Sequence, residues 1–245
     1  MAIYTDEGIS GAIGKYIFYV SNGKKCIRAK PGKRKKKRGQ VANPLNTIFG
    51  LVSRYGTAMM SGISYNMLLP FRLSTYNLAR GWMRNQYAAQ GATSDWELAA
   101  KRNTMCQLNP EADLRDFLNP EIAVNDDGAG LISINIPALD PKADLNVPVQ
   151  TEKVNLKMFV VTSPFLDNGF RHQSSMEQYS IDHVAGLIPA KKFVINANKQ
   201  AVSAGDITLV VIALEFETRE SGKLSYNTSL KYLPAAIIAM GILKK

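Results

Sequence analysis

From Glu121 onward the apolar residues recur at a spacing of about two, and no stretch long enough to be a crossover helix interrupts them. Ile132, Ile134 and Ile136 alternate with Ser133 and Asn135. Val154, Leu156, Met158 and Val160 alternate with Asn155, Lys157 and Phe159. Lys192 to Ile195, Ile207 to Phe216, Leu224 to Leu230 and Ala235 to Ile242 complete at least six candidate strands, with Pro, Gly, Asp and Asn in the connections. Parallel strands need long crossovers, usually helical, so this pattern predicts an antiparallel β-sandwich over 121–245. Ile207 to Phe216 is apolar at both parities in its centre, which predicts a strand buried on both faces or leaning on helices.

The first half of the chain is patterned differently. Lys15 to Val20 is aromatic and β-branched, Asn22-Gly23 is a type I′ turn signal, and Lys24 to Arg28 supplies a returning strand, so a β-hairpin is predicted. Gly8, Gly11 and Gly14 precede it where the backbone makes close approaches or takes positive φ, and no βα unit follows to make them a nucleotide fingerprint. After Pro31-Gly32 breaks the strand, Asn43-Pro44 offers a helix cap and first-turn proline. Val41, Leu45, Ile48, Val52, Tyr55 and Met59 then recur at helical spacing, predicting a helix from Pro44 to Met60. A second helix is predicted from Phe71 to Ala89, with Leu73, Tyr76, Arg80, Met83 and Tyr87 on one face. Ser94 or Asp95 could cap a third through Trp96, Leu98 and Ala99. The expectation is an α+β fold: an N-terminal β-hairpin and two or three helices over 1–120, then an antiparallel β-sandwich over 121–245. The two regions need not fold separately.

Charge is localised. The chain has 30 basic and 20 acidic residues, and ten of the basic ones lie between Lys24 and Arg38: Lys24, Lys25, Arg28, Lys30, Lys33, Arg34, Lys35, Lys36, Lys37 and Arg38. No acid interrupts them, and the remainder of the chain is neutral. Such a segment gains free energy on meeting any polyanion by releasing condensed counterions, a mechanism blind to nucleotide sequence. Lys33 to Arg38 shortly precedes the Pro44 helix, whose free amides favour an anion, so a phosphate bridging loop and helix is one expectation. Alternation places Tyr16 and Phe18 on one strand face and Tyr19 on the other. Stacking on bases is conceivable, and core packing of one face is the reading that strand composition favours. The plain alternative for the whole basic run is a solvated loop whose lysines keep a sheet edge from pairing.

The order Gly11-Ala12-Ile13-Gly14-Lys15, then Asn22-Gly23-Lys24, then Ile27-Arg28-Ala29-Lys30-Pro31 resembles an uncharacterised family of Bacteroidetes proteins. These open with a Gly-x-x-Gly-Lys segment, a short hairpin and a basic exit before an amphipathic helix. Tyr76-Asn77 and Asn85 are similar to asparagines in that family's helical part, and the later strands look like its β-sandwich. The motif detail is confined to about the first 31 residues. This chain departs from the pattern in its dense lysine run and in a glutamine-rich stretch reduced to Gln40-Val41. The resemblance implies fold and bacterial origin, and brings no activity, cofactor or site with it.

Chemistry-bearing motifs are sparse. The two histidines, His172 and His183, flank Glu177 and Asp182 at a spacing that matches no HExxH or facial-triad pattern, so the stretch reads as a polar loop. Asp126-Asp127 stands beside Gly128 as a turn signal, and Asn227-Thr228-Ser229 reads as strand interior. Cys26 and Cys106 lie in no CxxC cluster and are expected to be free thiols. No Walker lysine, GxSxG elbow or calcium loop occurs. The acidic start Met1 to Glu7 lacks the basic flank and apolar run of a secretory leader, and Leu233 to Leu243 is too short to span a bilayer. The expectation is a non-enzymatic binding or structural module, cytoplasmic or part of an assembled particle, with neither cofactor nor metal. Its basic loop engages a polyanion such as nucleic acid. The alternative is a subunit of a phage-like or other bacterial assembly that meets an acidic protein surface or a second copy of itself.

Overall fold

The computed structural model describes residues 2–5, 8–21, 24–32, 44–90, 105–126, 131–163, 173–196, 206–220 and 222–242. They belong to two compact units, Met1–Ala42 and Asn43–Lys245. The first is an antiparallel meander in which β1 (Ala2–Thr5), β2 (Gly8–Ile13), β3 (Tyr16–Ser21) and β4 (Lys24–Ala29) lie side by side in chain order. The expected hairpin is its second half, with Ser21 opposite Lys24 and Tyr16 opposite Ala29. Asn22-Gly23 lies outside the described residues. The turn at Gly14-Lys15 joins Ile13 to its partner Tyr16, and Gly14 there has φ of 56°, a conformation that strains any residue with a Cβ.

The second unit is layered. Its large sheet runs in the order β5 (Cys106–Gln107), β13 (Ala235–Ile242), β11 (Ile207–Glu220), β8 (Thr151–Ser163), β9 (Gln173–Asp182), and β12 (Lys223–Tyr226) pairs with the far end of β11. A smaller sheet has the order β10 (Lys191–Asn196), β7 (Leu131–Ile136), β6 (Ala123–Asp126). Every pairing is antiparallel, as the missing crossovers require.

Two cores flank the large sheet, and strand parity sorts the side chains between them. Val154, Leu156, Met158 and Val160 of β8 and Val210, Ile212, Leu214 and Phe216 of β11 face Ile132, Ile134 and Ile136 of β7, with Val124 of β6 and Ile195 of β10. This is the interior of the sandwich. The opposite parity, Phe159 and Val161 with Ile207, Leu209, Val211 and Ala213, packs under the helices α1 (Pro44–Ser64) and α2 (Leu73–Gln90). The doubly apolar run of β11 therefore serves both readings at once, buried on both faces with helices on one of them.

In α1, Val52, Met59, Met60 and Ile63 are buried, and Gly56 sits against Arg80 and Met83 of α2. A Cβ at Gly56 would come within 3.2 Å of Arg80 Cγ and 3.3 Å of Met83 Sδ, so glycine sets how closely the helices approach. In α2 the buried line is Thr75, Ala79 and Met83. Leu73, expected on the inner face, is 72% exposed, because the helix begins at this residue and its buried line starts two positions later. The segment around Trp96, Tyr87's side chain and the Asn43 cap lie outside the described residues.

The expected polar loop before His183 is instead the strand β9, which among the described residues pairs with β8 alone. Its composition misleads because an outermost strand has much less to bury: only Ile181 is buried and Tyr179 packs partly on the sandwich core. Asn227-Thr228-Ser229 lies beyond the end of β12, where Asn227 Oδ1 accepts from the Ser229 amide, so the three residues form a turn and not a strand interior.

Candidate functional site

The basic segment divides at Gly32. Lys33, Arg34, Lys35, Lys36, Lys37 and Arg38 lie outside the described residues, and so does the expected bridge between this loop and the start of α1. Lys24, Lys25 and Arg28 lie on β4, the outer strand of the four-stranded sheet, and Lys30 follows it, donating its amide to the Lys15 carbonyl at 2.6 Å. All four side chains are exposed, and none forms an ion pair with a described residue.

Register decides which groups share a face. Tyr19 is opposite Cys26, so Tyr19 and Ile17 of β3 accompany Lys24, Cys26 and Arg28 of β4 on one side. Phe18 is opposite Ile27 and Tyr16 opposite Ala29, so Tyr16, Phe18 and Val20 accompany Lys25 and Ile27 on the other, with Ile13 opposite Tyr16 from β2. The guanidinium carbon of Arg28 stands 5.5 Å from the centre of the Tyr19 ring, within reach of a cation–π contact.

The favoured reading of these aromatics as core does not survive. None of residues 9–20 or 24–32 is buried; Tyr16 is 54% exposed, Tyr19 39% and Ile27 63%. The strand composition that signals a core is present, but the described residues that build the two cores all belong to the second unit.

Sequence reasoning missed a polar network on the helix-facing side of the large sheet. Glu215, buried on β11, pairs with Lys157 of β8 at 2.8 Å. Its other oxygen accepts from the Leu68 amide at 3.0 Å, and Lys157 donates to the Asn66 carbonyl at 2.9 Å. Both backbone partners lie in the turn between α1 and α2, so the pair fastens that turn to the sheet. Next along the same face, fully buried Asn155 donates to Glu217 at 2.6 Å and accepts from Gln178 and Ser180. Burial and then the neighbouring Glu217 raise the Tyr226 phenol above its usual range. The available signal was Asn155, Lys157, Glu215 and Glu217 at strand positions that alternation assigns to a buried sheet. The carboxylates already have partners, and the arrangement acts as a clamp.

The described members of the histidine constellation are not brought together. His172 lies outside the described residues, and Glu177 and Asp182 are five positions apart on β9, roughly 16 Å along an extended strand. Asp182 is instead 3.8 Å from Lys153, and His183 Nδ1 is 3.2 Å from Lys142 Nζ. Burial first, and then the Lys142 charge, lower the His183 pKa from the usual imidazole range. Among the described residues no group of three His, Cys, Asp or Glu could hold a metal ion, and no helix is long and apolar enough to cross a membrane. Asp126 closes β6, and Asp127 and Gly128 lie outside the described residues. Comparison of the chain with models of known protein families, with curated proteins and with solved structures finds no match.

Proposed function

We propose that this chain is a non-enzymatic binding module whose N-terminal sheet and the basic run after it engage polyanions, nucleic acid among them, without reading sequence. One observation carries the reading: the outer strand β4 presents Lys24, Lys25 and Arg28, with Lys30 just beyond, all exposed and unpaired by any described acid. Cations held on a strand have already lost much of their backbone freedom, so contact with phosphate or sulfate adds counterion release at a reduced ordering cost.

The test is retention on heparin and on DNA as salt is raised. Replacing Lys24, Lys25, Arg28, Lys30 and Lys33 to Arg38 by glutamine should abolish retention, and replacing a subset should flatten the dependence of log affinity on log salt by about one per lost duplex contact. Wild-type protein that fails to bind either matrix at low salt overturns the proposal and leaves the lysines as edge protection.

A second reading, a subunit in a bacterial or phage-like assembly, is favoured by the other face of the same sheet, where Ile13, Tyr16, Val20 and Ile27 are exposed together. Exposed apolar side chains grouped on one face suit a protein partner or a second copy. Light scattering at high protein concentration tests it; a strict monomer counts against self-assembly.

A further inference from the structure

We infer that the Tyr19 face of the N-terminal sheet is a stacking platform for bases of single-stranded nucleic acid. The inference rests on the polyanion reading and narrows it to one ligand class and one face. Lys24 and Arg28 flank Cys26 on β4, and Cys26 is directly opposite Tyr19, so the tyrosine ring lies between two cations on one side of the sheet. Four strand positions separate the two cations, about 13 Å of extended chain, a span that a few nucleotides of single strand cover. The residue between them, Cys26, has a small side chain. Arg28 already lies over the Tyr19 ring, which aligns a planar cation and an aromatic surface in the order that bases use when they add to such a stack.

The chemistry selects among polyanions. A sulfated sugar or an acidic peptide satisfies Lys24 and Arg28 and gives the ring nothing flat to meet. In a duplex both faces of each base are covered by its neighbours, so an aromatic side chain on a sheet reaches only unpaired bases. The opposite face serves as an internal control: Tyr16 and Phe18 stand there among Ile13, Val20 and Ile27, with the single cation Lys25.

The test compares full-length protein binding to a labelled oligothymidylate, a duplex of equal length, heparin and polyglutamate, measured by anisotropy at one salt concentration. Tyr19→Leu keeps apolar bulk and removes the aromatic ring, and should weaken oligothymidylate binding about tenfold while leaving heparin unchanged. Tyr19→Trp should retain or strengthen it, and Tyr16→Leu should leave it unchanged. Equal loss toward oligothymidylate and heparin in Tyr19→Leu, no loss toward either, or wild-type binding of duplex or polyglutamate as tight as of oligothymidylate overturns the platform while the polyanion reading stands. Wild-type protein that binds none of the four probes overturns both.

Discussion

The four-stranded sheet of the first unit and the large sheet of the second are both antiparallel and both rich in branched and aromatic residues, yet they meet opposite environments. Strand β11 has a helix layer on one side and a second sheet on the other, and from Ile207 to Phe216 every residue is buried. Strand β3, Tyr16-Ile17-Phe18-Tyr19-Val20-Ser21, has a composition as strand-like as that of β11 and no buried residue among Tyr16 to Val20. Among the described residues the difference is one of burial: the large sheet is packed on both faces, and no described side chain of β3 is buried. A sheet with three or more strands becomes stable by covering at least one apolar face, so a layer without cover has its apolar groups available for a ligand or partner.

The strongest contrast between the two sheets is energetic. Phe216 is fully buried with its ring 5.8 Å from that of Phe117, and Phe216→Ala should cost about 4 kcal/mol in urea denaturation. Ile27→Ala, at a site 63% exposed, should change stability by less than about 0.5 kcal/mol. Equal costs would mean that the first sheet is covered after all.

Within the layered unit, Glu215→Leu should cost about 3 kcal/mol, since it leaves Lys157 and the Leu68 amide without their partner. Adding Lys157→Met should recover much of that loss, because two apolar side chains avoid the desolvation cost of a buried charge. A double variant no more stable than the single one would show that the backbone contacts to the helix turn carry the stabilisation.

The two cysteines compare the units chemically. Burial pushes the Cys106 thiol up to about 11, which leaves little thiolate to react at neutral pH, whereas Cys26 is half-buried on β4. Maleimide labelling followed by mass spectrometry should modify Cys26 in the folded protein and Cys106 only on unfolding.

The smallest effect concerns His183. Its lowered pKa means the folded state favours the neutral ring, so its contribution to stability is present above the usual imidazole pKa of 6.5 and is lost as pH falls below it. Its NMR titration midpoint should lie below 6.5, and Lys142→Met should raise it by removing a like charge.

Periodicity revealed most of the second unit. Ile132 to Ile136, Val154 to Val160 and Ala235 to Ile242 fall in strands because each alternates or is apolar throughout, and α1 and α2 begin within two residues of their expected starts. What escaped was what pattern does not encode. Gln173 to Asp182 reads as a loop because an outermost strand can remain polar; β2 is hidden by glycines that serve turns as readily as strands, and β1 is only four residues long. The binding candidates on β4 were visible as charge, but their division between faces follows from register with β3. The Lys157–Glu215 clamp was unreadable because its backbone partners come from a helix connection far away in the chain.

That clamp also checks the alignment of β11 against β8. Sliding β11 by one residue reverses its faces, and Glu215 and Glu217 would then turn toward the apolar sandwich core that holds Ile132 and Ile134. An entirely apolar β11 would accept either face and fold into a mixture of registers; one buried carboxylate makes the slipped arrangement expensive. The helix turn at Asn66 and Leu68 therefore meets its hydrogen-bond partners only on a correctly paired sheet.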